Sequence, residues 1–185
     1  MSSPMLLCLD VHYEPHAATT GGVGFSSWSD ASSALELVDR SETAPAPYEP
    51  GSFYQRELPY LTEAVLRVER HAAVTTIVID GHVWLSAGRL GLGAHLHQAL
   101  GARVAIVGVA KSAFRGGVAI PVLRGESRQP LFVTAAGTDP ARAAELVRDM
   151  HGAHRIPTLL QRADQLARGH AHPVPAKTLF DDDAS

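Results

Sequence analysis

Hydrophobic residues gather in two short runs that each end near an aspartate. Residues 75–80 read Thr-Thr-Ile-Val-Ile-Asp, an unbroken β-branched run that closes on Asp80. Such a run is typical of a strand that is buried on both faces of a sheet. Residues 5–13 form a second apolar run, with Asp10 within it or just beyond it. The pattern therefore predicts two buried strands, each with a carboxylate close to its exit.

The rest of the chain alternates between strand-like and helix-like patterns. Further strands are predicted at residues 19–27, 34–38, 104–109, 118–123 and 131–134, and helices at 53–71, 92–100, 140–150 and 159–168. The first three strands are expected to form an antiparallel meander. Strands and helices in this succession indicate the α/β class, in which sites form where strands end.

The first predicted helix carries a third carboxylate inside its apolar stripe. Its core-facing positions recur at spacings of four and three, and they are Phe53, Glu57, Leu61, Ala64 and Val68. A glutamate is uncommon in such a stripe unless it is paired or bound to a metal. Since burying a lone charge costs several kcal/mol, three carboxylates placed in this way suggest a compensating cation.

Each carboxylate also has a purely structural interpretation, which the pattern leaves open. Asp10 and Asp80 are suited to a strand-end turn or a helix cap. Glu57 can reach solvent from the edge of the stripe near the helix start, and Arg56 is a candidate partner for it.

Composition limits the class of protein. The 185 residues predict one domain over residues 1–169, followed by an acidic tail at 170–185 with too few apolar residues to pack. No apolar run approaches the ~20 residues of a membrane span, and a single cysteine, Cys8, suits a core residue in a reducing compartment. We therefore expect a monomeric cytoplasmic protein without a membrane segment. The net charge of −3 argues against a broad nucleic-acid surface, although it leaves room for a local one.

Several common sites are excluded by their missing motifs. The sequence has no zinc-type cysteine cluster, Walker loop, Ser-His-Asp signature or dinucleotide fingerprint. Seven short motifs remain, in order along the chain: Leu-Asp-Val-His-Tyr at 9–13, Pro-Tyr-Glu-Pro-Gly at 47–51, Gln-Arg-Glu-Leu-Pro at 55–59, Asp-Gly-His at 80–82, Gly-Val-Ala-Lys at 108–111, Arg-Ile-Pro at 155–157 and Ala-Asp at 163–164. With these motifs the chain resembles the endonuclease V family, nucleases that cut nucleic acid near deaminated bases, chiefly inosine.

The resemblance implies a fold and a metal site. The fold would be ribonuclease-H-like, a mixed sheet flanked by helices. Divalent metal, Mg²⁺ with Mn²⁺ as a substitute, would be held by Asp10 and Asp80, with Glu57 completing the acidic cluster. Lys111 would contact the scissile phosphate or orient the attacking water. Hydrolysis of a phosphodiester requires an activated water and neutralised charge, which a carboxylate-bound cation supplies.

The resemblance also implies how DNA or RNA is bound. Tyr48 would act as a wedge that fills the gap left by a flipped base, although a tyrosine in this proline-rich loop also suits a plug over the core. Gly51, Gly81 and Gly108 match glycines whose backbone lets the deaminated base approach closely.

Departures from the family pattern affect the expected activity. Thr138 stands where the family has a histidine, in Ala-Ala-Gly-Thr instead of Ser-Pro-Gly-His, so we assign Thr138 to the catalytic site and expect slow cleavage. Val83 replaces a pocket glycine, and residues 86–88 and 158–161 also depart from the family. Two alternatives therefore stay open: a nucleic-acid-binding homologue impaired in cleavage, and a scaffold that keeps only the fold.

Overall fold

The computed structural model describes residues 4–47, 49 and 52–172. The described chain contains these elements in order: β1 Pro4–Glu14, β2 Ala17–Phe25, β3 Leu35–Ser41, α1 Phe53–Glu69, β4 Ala73–Asp80, β5 Trp84–Ser86, β6 Arg89–Leu90, α2 Leu92–Ala99, β7 Ala105–Ala110, β8 Ile120–Val122, β9 Leu131–Ala136, α3 Pro140–Arg148 and α4 Thr158–Ala167.

Seven of these strands form one mixed sheet in the order β3-β2-β1-β4-β7-β9-β8. The central strands β1, β4 and β7 are parallel, whereas β2, β3, β8 and β9 join them as antiparallel neighbours. The α/β class and the antiparallel meander of the first three strands are therefore confirmed.

Helices cover both faces of the sheet. Buried side chains of α3 and α4 pack on the face that carries Cys8 and Val78. Those of α1 and α2 pack on the other face, against Leu7 and Ile77. Because the inner strands are covered on both sides, their apolar runs are continuous instead of alternating.

The predicted elements agree with the structure except in two places. A small hairpin, β5 with β6, occupies the segment after Asp80 that the sequence predicted as a glycine-rich loop. In α1, Leu61, Ala64 and Val68 are buried as predicted, but Phe53 at the start of the stripe is 47% exposed. The prediction for Cys8 is confirmed, since its side chain is fully buried.

No helix within the described part of the chain is long and apolar enough to cross a membrane. Three sequence predictions fall outside the described residues: the acidic tail from residue 173 onward, Tyr48 as a wedge, and Gly51 as a residue close to the base.

The topology gives the sheet two distinct ends. At the site end, β4 and β7 finish at Asp80 and Ala110, and β9 begins. At the far end, β7 begins and β9 finishes at Ala136.

Candidate active site

Two aspartates lie side by side at the site end. β1 and β4 pair in parallel and keep one register from Leu6 opposite Thr76 to Leu9 opposite Ile79, just before Asp10 and Asp80. Two residues earlier, Cys8 and Val78 both belong to the core beneath α3 and α4. Because side chains alternate along a strand, Asp10 and Asp80 face that same side.

Glu57 completes the group of three predicted carboxylates from the second turn of α1. Burial, and then the charges of Asp10 and Asp80, raises the pKa of Glu57 to about 8. Burial, then the charge of Asp80 and a hydrogen bond with Asp164, raises the pKa of Asp10 to about 7. The structure thus brings Asp10, Glu57 and Asp80 close enough that the charge of Asp80 disfavours ionisation of Asp10 and Glu57.

Lys111 follows the end of β7 and reaches back to this group. Its Nζ donates to Asp80 Oδ2 at 2.6 Å. Burial alone would lower the pKa of Lys111, but its contact with Asp80 raises it. The carbonyl of Lys111 accepts a short hydrogen bond from Arg155 Nη2, which also donates to the Pro130 carbonyl at 2.8 Å. Arg155 therefore holds the backbone from which the lysine extends.

Asp164 is a fourth carboxylate that the sequence analysis did not assign to the site. It lies on α4, where its carboxyl group can share a hydrogen bond with Asp10 when one of the two is protonated. Arg168 Nε donates to Asp164 Oδ1 at 2.7 Å. Burial alone would raise the pKa of Asp164, but the hydrogen bonds with Arg168 and Asp10 lower it. The sequence did contain a signal, since Ala163-Asp164 is one of the motifs that the chain shares with the family, but no role was assigned to it.

Tyr13 and Arg56 form the wall behind Glu57. The Arg56 guanidinium lies over the Tyr13 ring, 4.4 Å from its centroid. Tyr13 and Arg56 both lower the pKa of Glu57 by less than its burial raises it. The Tyr13 hydroxyl and Arg56 Nε are buried without a hydrogen bond of normal geometry among the described residues. Arg56, the candidate partner of Glu57, thus makes a cation–π contact with Tyr13 and acts on Glu57 through its charge.

The donor set suits a hard cation in its chemistry. Carboxylate oxygens are the ligands that Mg²⁺ and Mn²⁺ prefer, and these carboxylates lie half-buried at the same end of the sheet. Within residues 4–47, 49 and 52–172, however, no three His, Cys, Asp or Glu side chains converge as a finished metal-binding group. The residues fit a divalent cation by their type and by their common location at the site end.

A cavity of about 340 Å³ adjoins Asp80. Its walls are mainly apolar and aromatic, with a few polar groups, and they comprise Phe53, Tyr54, Asp80, Gly81, His82, Leu85, Arg89, Leu90, Gly91, Leu92 and Phe114. An apolar cavity with few polar groups beside reactive side chains is the usual form of a small-molecule or base-binding site.

The rim of this cavity is held by contacts around Phe114. Arg89 places its guanidinium 5.3 Å from the centroid of the Phe114 ring. His82 meets the same ring edge-on at 6.5 Å, and its Nε2 lies 3.0 Å from the Ser112 carbonyl oxygen. On another wall, Tyr54 stacks on His95 with ring centroids 3.5 Å apart.

The two described pocket glycines have different surroundings. Gly81 lines the cavity with φ of 138°, a backbone conformation that other residues rarely adopt, and a Cβ there would meet nothing. A Cβ on Gly108 would lie 2.5 Å from the Gly81 carbonyl oxygen and 2.8 Å from the Val83 nitrogen. Gly108 thus allows the turn after β4 to pack on β7, beneath the cavity.

Val83 does not obstruct the cavity, although it replaces a family glycine. Its side chain is fully buried in the core. A Cβ on Gly93 would lie 2.6 Å from Val83 Cγ2, so the glycine in α2 provides the space that the valine fills.

Thr138 is not brought to the acidic cluster. β9 runs antiparallel to β7, with Phe132 opposite Ala110 and Ala136 opposite Ile106. The chain therefore travels about 13 Å along the sheet before it reaches Thr138, at ~3.3 Å per residue. Thr138 lies exposed at the far end. The assignment of this residue to the catalytic site came from its place in a motif, and the strand direction separates it from the carboxylates.

Comparison with known proteins points to one family. A sequence profile of the endonuclease V family matches residues 4–136. The endonuclease V of Rhodospirillum centenum is 30% identical over 155 residues, which cover 72% of this chain and 63% of that protein. The chain thus spans less than two thirds of that relative's length.

Solved structures agree on the fold. Endonuclease V of Ciona intestinalis, crystallised with a 24-mer DNA containing an inosine followed by a ribo-adenosine, superposes with a TM-score of 0.75 at 17% identity, over 90% of this chain and 84% of that one. The Streptomyces avermitilis endonuclease V gives 0.70 at 23% identity, over 91% and 82%. Human endonuclease V gives 0.68 at 20% identity, over 90% and 83%. The seven-stranded mixed sheet with flanking helices is therefore the ribonuclease-H-like fold of these enzymes.

Proposed function

Because this chain belongs to the endonuclease V family, we propose that it is a metal-dependent endonuclease that hydrolyses phosphodiester bonds near deaminated bases, with inosine as the preferred base, in DNA or RNA. One observation carries the proposal: half-buried, mutually repelling carboxylates and a cavity share the site end of the sheet. Asp80 belongs to both features.

Asp10, Glu57 and Asp80 would hold Mg²⁺ or Mn²⁺, with Asp164 as a fourth oxygen donor. When bound, the cation would neutralise charge on the phosphate and lower the pKa of a bound water. The raised pKa values of Asp10 and Glu57 support this role, because a bound cation offsets the two causes that raise them, burial and then repulsion by Asp80.

Lys111 would bind the scissile phosphate. Its Nζ already lies beside Asp80, and an ammonium group at that position is suited to a phosphate oxygen next to the metal. Arg155 would serve this contact indirectly, since its hydrogen bonds to the Lys111 and Pro130 carbonyls fix the loop backbone.

The cavity beside Asp80 would receive the flipped base. Phe53, Tyr54 and Phe114 offer aromatic walls, and Gly81 leaves open space beside the carboxylates. A flipped base is normally read by stacking and by hydrogen bonds to its edge. Arg89 and His82 would make those hydrogen bonds, since both line the cavity. Tyr48 would fill the gap in the stack, with Gly51 close to the base.

Positive charge at the site end supports nucleic-acid binding despite the negative net charge. We define the basic loops as residues 111–119 and 123–130. Arg115 and Arg128 in these loops have no carboxylate partner among the described residues, and Glu126 is the only acidic residue in either loop. Unpaired arginines next to a hydrolytic site are suited to phosphates on either side of the cut.

The position of Thr138 weakens one alternative, that the protein binds nucleic acid but is impaired in cleavage. That alternative depended on the loss of the family histidine at this position. Since Thr138 lies at the far end, its side chain gives no reason to expect an impaired site.

Single-turnover cleavage tests the proposal directly. Matched DNA and RNA strands with inosine or adenosine at one position would be incubated with Mg²⁺, Mn²⁺ or EDTA. We expect cleavage of the inosine strands that requires metal and disappears in Asp80→Asn. Cleavage that persists in Asp80→Asn would indicate a contaminating nuclease. Metal-loaded protein that cuts none of the strands would refute the proposed activity.

A further inference from the structure

We infer that Gly21 is a positioning residue, which brings Asp164 to Asp10 by letting helix α4 lie directly on strand β2. The inference rests on the proposed function, in which Asp164 contributes to the acidic site. It concerns a residue that neither touches the cavity nor carries a functional group.

The space above Gly21 is filled by backbone atoms of α4. A Cβ at this position would overlap the carbonyl oxygen of Ala163 and lie 2.6 Å from the nitrogen of Ala167. Backbone atoms in a helix cannot rotate out of the way as the end of a side chain can. Even the smallest side chain at Gly21 would therefore push the helix away from the sheet.

Gly21 is also the strand partner of Asp10. The two residues face each other across the antiparallel pair of β1 and β2. Asp164 directly follows Ala163, the residue whose carbonyl covers Gly21. A displacement of α4 at this point therefore acts at once on the separation of the Asp10 and Asp164 carboxyl groups.

Backbone conformation does not explain the glycine. The residues with positive φ among the described glycines are Gly81, Gly88, Gly101, Gly116, Gly125, Gly137, Gly152 and Gly169. Gly21 is not one of them, and it lies within the ladder of β2. The lack of a side chain at Gly21 therefore allows the close approach of α4, and the strand does not need a glycine here for a turn.

A second contact holds the same helix from the neighbouring strand. Arg162 donates to both carboxylate oxygens of Glu36 on β3, at 2.8 and 2.9 Å. Glu36 is almost fully buried, so this pair fixes where α4 lies along the sheet. Gly21 then sets the height of the helix above the sheet.

Gly22 provides a matched control in the same strand. A Cβ there would lie 3.1 Å from Leu37 Cβ and from Leu9 Cδ2, on the opposite face of the sheet. Those contacts are with side chains, which can adjust. Gly22→Ala therefore adds the same methyl group to β2 without touching α4.

The experiment compares Gly21→Ala with Gly22→Ala at saturating inosine-containing nucleic acid with Mn²⁺. We expect Gly21→Ala to lower the single-turnover rate by about 10- to 100-fold, as small misplacements of reacting groups do. Its affinity for the nucleic acid should stay unchanged, and Gly22→Ala should cut at close to the wild-type rate. Equal losses in the two folded variants would overturn the inference.

The substitution Asp164→Glu distinguishes a positioning role of Gly21 from a general loss of stability. In the wild-type background Asp164→Glu should lower the rate, because the longer side chain fits poorly. In Gly21→Ala the same substitution should recover part of the lost rate, because it spans the added gap. Additive losses in this double-mutant cycle would contradict the inference.

Two further measurements decide the inference without cleavage. A crystal structure of Gly21→Ala should show α4 raised and the contact between Asp10 and Asp164 lost, and a retained contact would overturn the inference even if the wild type cuts nothing. If Gly21→Ala does not fold, the pair Glu36→Gln with Arg162→Gln releases α4 without added bulk. That variant should lower the stabilisation by Mn²⁺, and an unchanged response would count against positioning through α4.

Discussion

The two ends of the central sheet differ in how their charges are satisfied. At the far end, Arg103 binds Glu69 through both guanidinium nitrogens, with Nη2 to Oε2 at 2.6 Å, so the charges cancel at the surface. At the site end, burial and then repulsion by neighbouring carboxylates raise the pKa values of Asp10 on β1 and Glu57 on α1. Stable surfaces pair their charges, whereas functional sites keep charges that a ligand must balance.

The largest effect should come from a carboxylate at the site end. Glu57→Gln should lower the single-turnover rate by about 10²- to 10³-fold, the usual effect of removing one group that stabilises transition-state charge. The same substitution should raise the melting temperature in metal-free buffer near pH 8, since repulsion with Asp10 and Asp80 falls. Glu63→Gln, an exposed glutamate on the same helix, is the matched control and should change neither quantity. If the two substitutions had equal effects, Glu57 at the site end would not differ from an ordinary surface glutamate.

The second largest effect should be a dependence of the free energy of unfolding on pH. The pKa values of Asp10 and Glu57 rise from 3.8 and 4.5 to about 7 and about 8 on folding. A carboxyl group with a raised pKa stabilises the fold below its unfolded value and loses that contribution as the pH rises through its folded value. The charged groups that face this pair are Arg56, Asp80, Lys111, Asp164 and Arg168.

The free energy of unfolding in metal-free buffer should therefore fall between about pH 4.5 and pH 8, by on the order of a few kcal/mol. Mn²⁺ should reverse most of this fall, because it binds the ionised carboxylates of the folded state. Urea titrations at several pH values measure the effect. A stability that is flat over this range would show that the carboxylates are already balanced, as they are at the far end.

The sequence predicts the site as far as local patterns carry the information. Asp10 and Asp80 end apolar runs, and Glu57 falls in an apolar stripe. Their apolar surroundings therefore predicted all three as site residues. Asp164 reaches the cluster only because Gly21 lets α4 approach β2, a contact between residues far apart in the chain. Thr138 shows the reverse case. Its motif was visible, but the direction of β9 decides at which end of the sheet it lies.

A smaller effect should distinguish the arginines of the two ends. Arg128→Ala removes an unpaired cation from the basic loops and should weaken nucleic-acid binding whatever the base sequence. The slope of log K against log salt should fall by about one, as expected for one lost phosphate contact. Arg103→Ala at the far end removes an arginine that is already paired with Glu69 and should leave the slope unchanged. Identical slopes for both variants would place the nucleic acid elsewhere.

The smallest effect is expected from Thr138→His. A general acid or base contributes about 10²- to 10⁴-fold only when it lies within hydrogen-bond reach of the reacting group. Thr138 is exposed at the far end, beyond the pairing of Ala136 with Ile106, so an imidazole there cannot meet the phosphate bound near Asp80. We therefore expect the single-turnover rate, with Mg²⁺ and with Mn²⁺, to match the wild type. A clear increase in rate would show that the segment after β9 reaches the site end when nucleic acid is bound, and the contrast between the two ends would then hold only for the free protein.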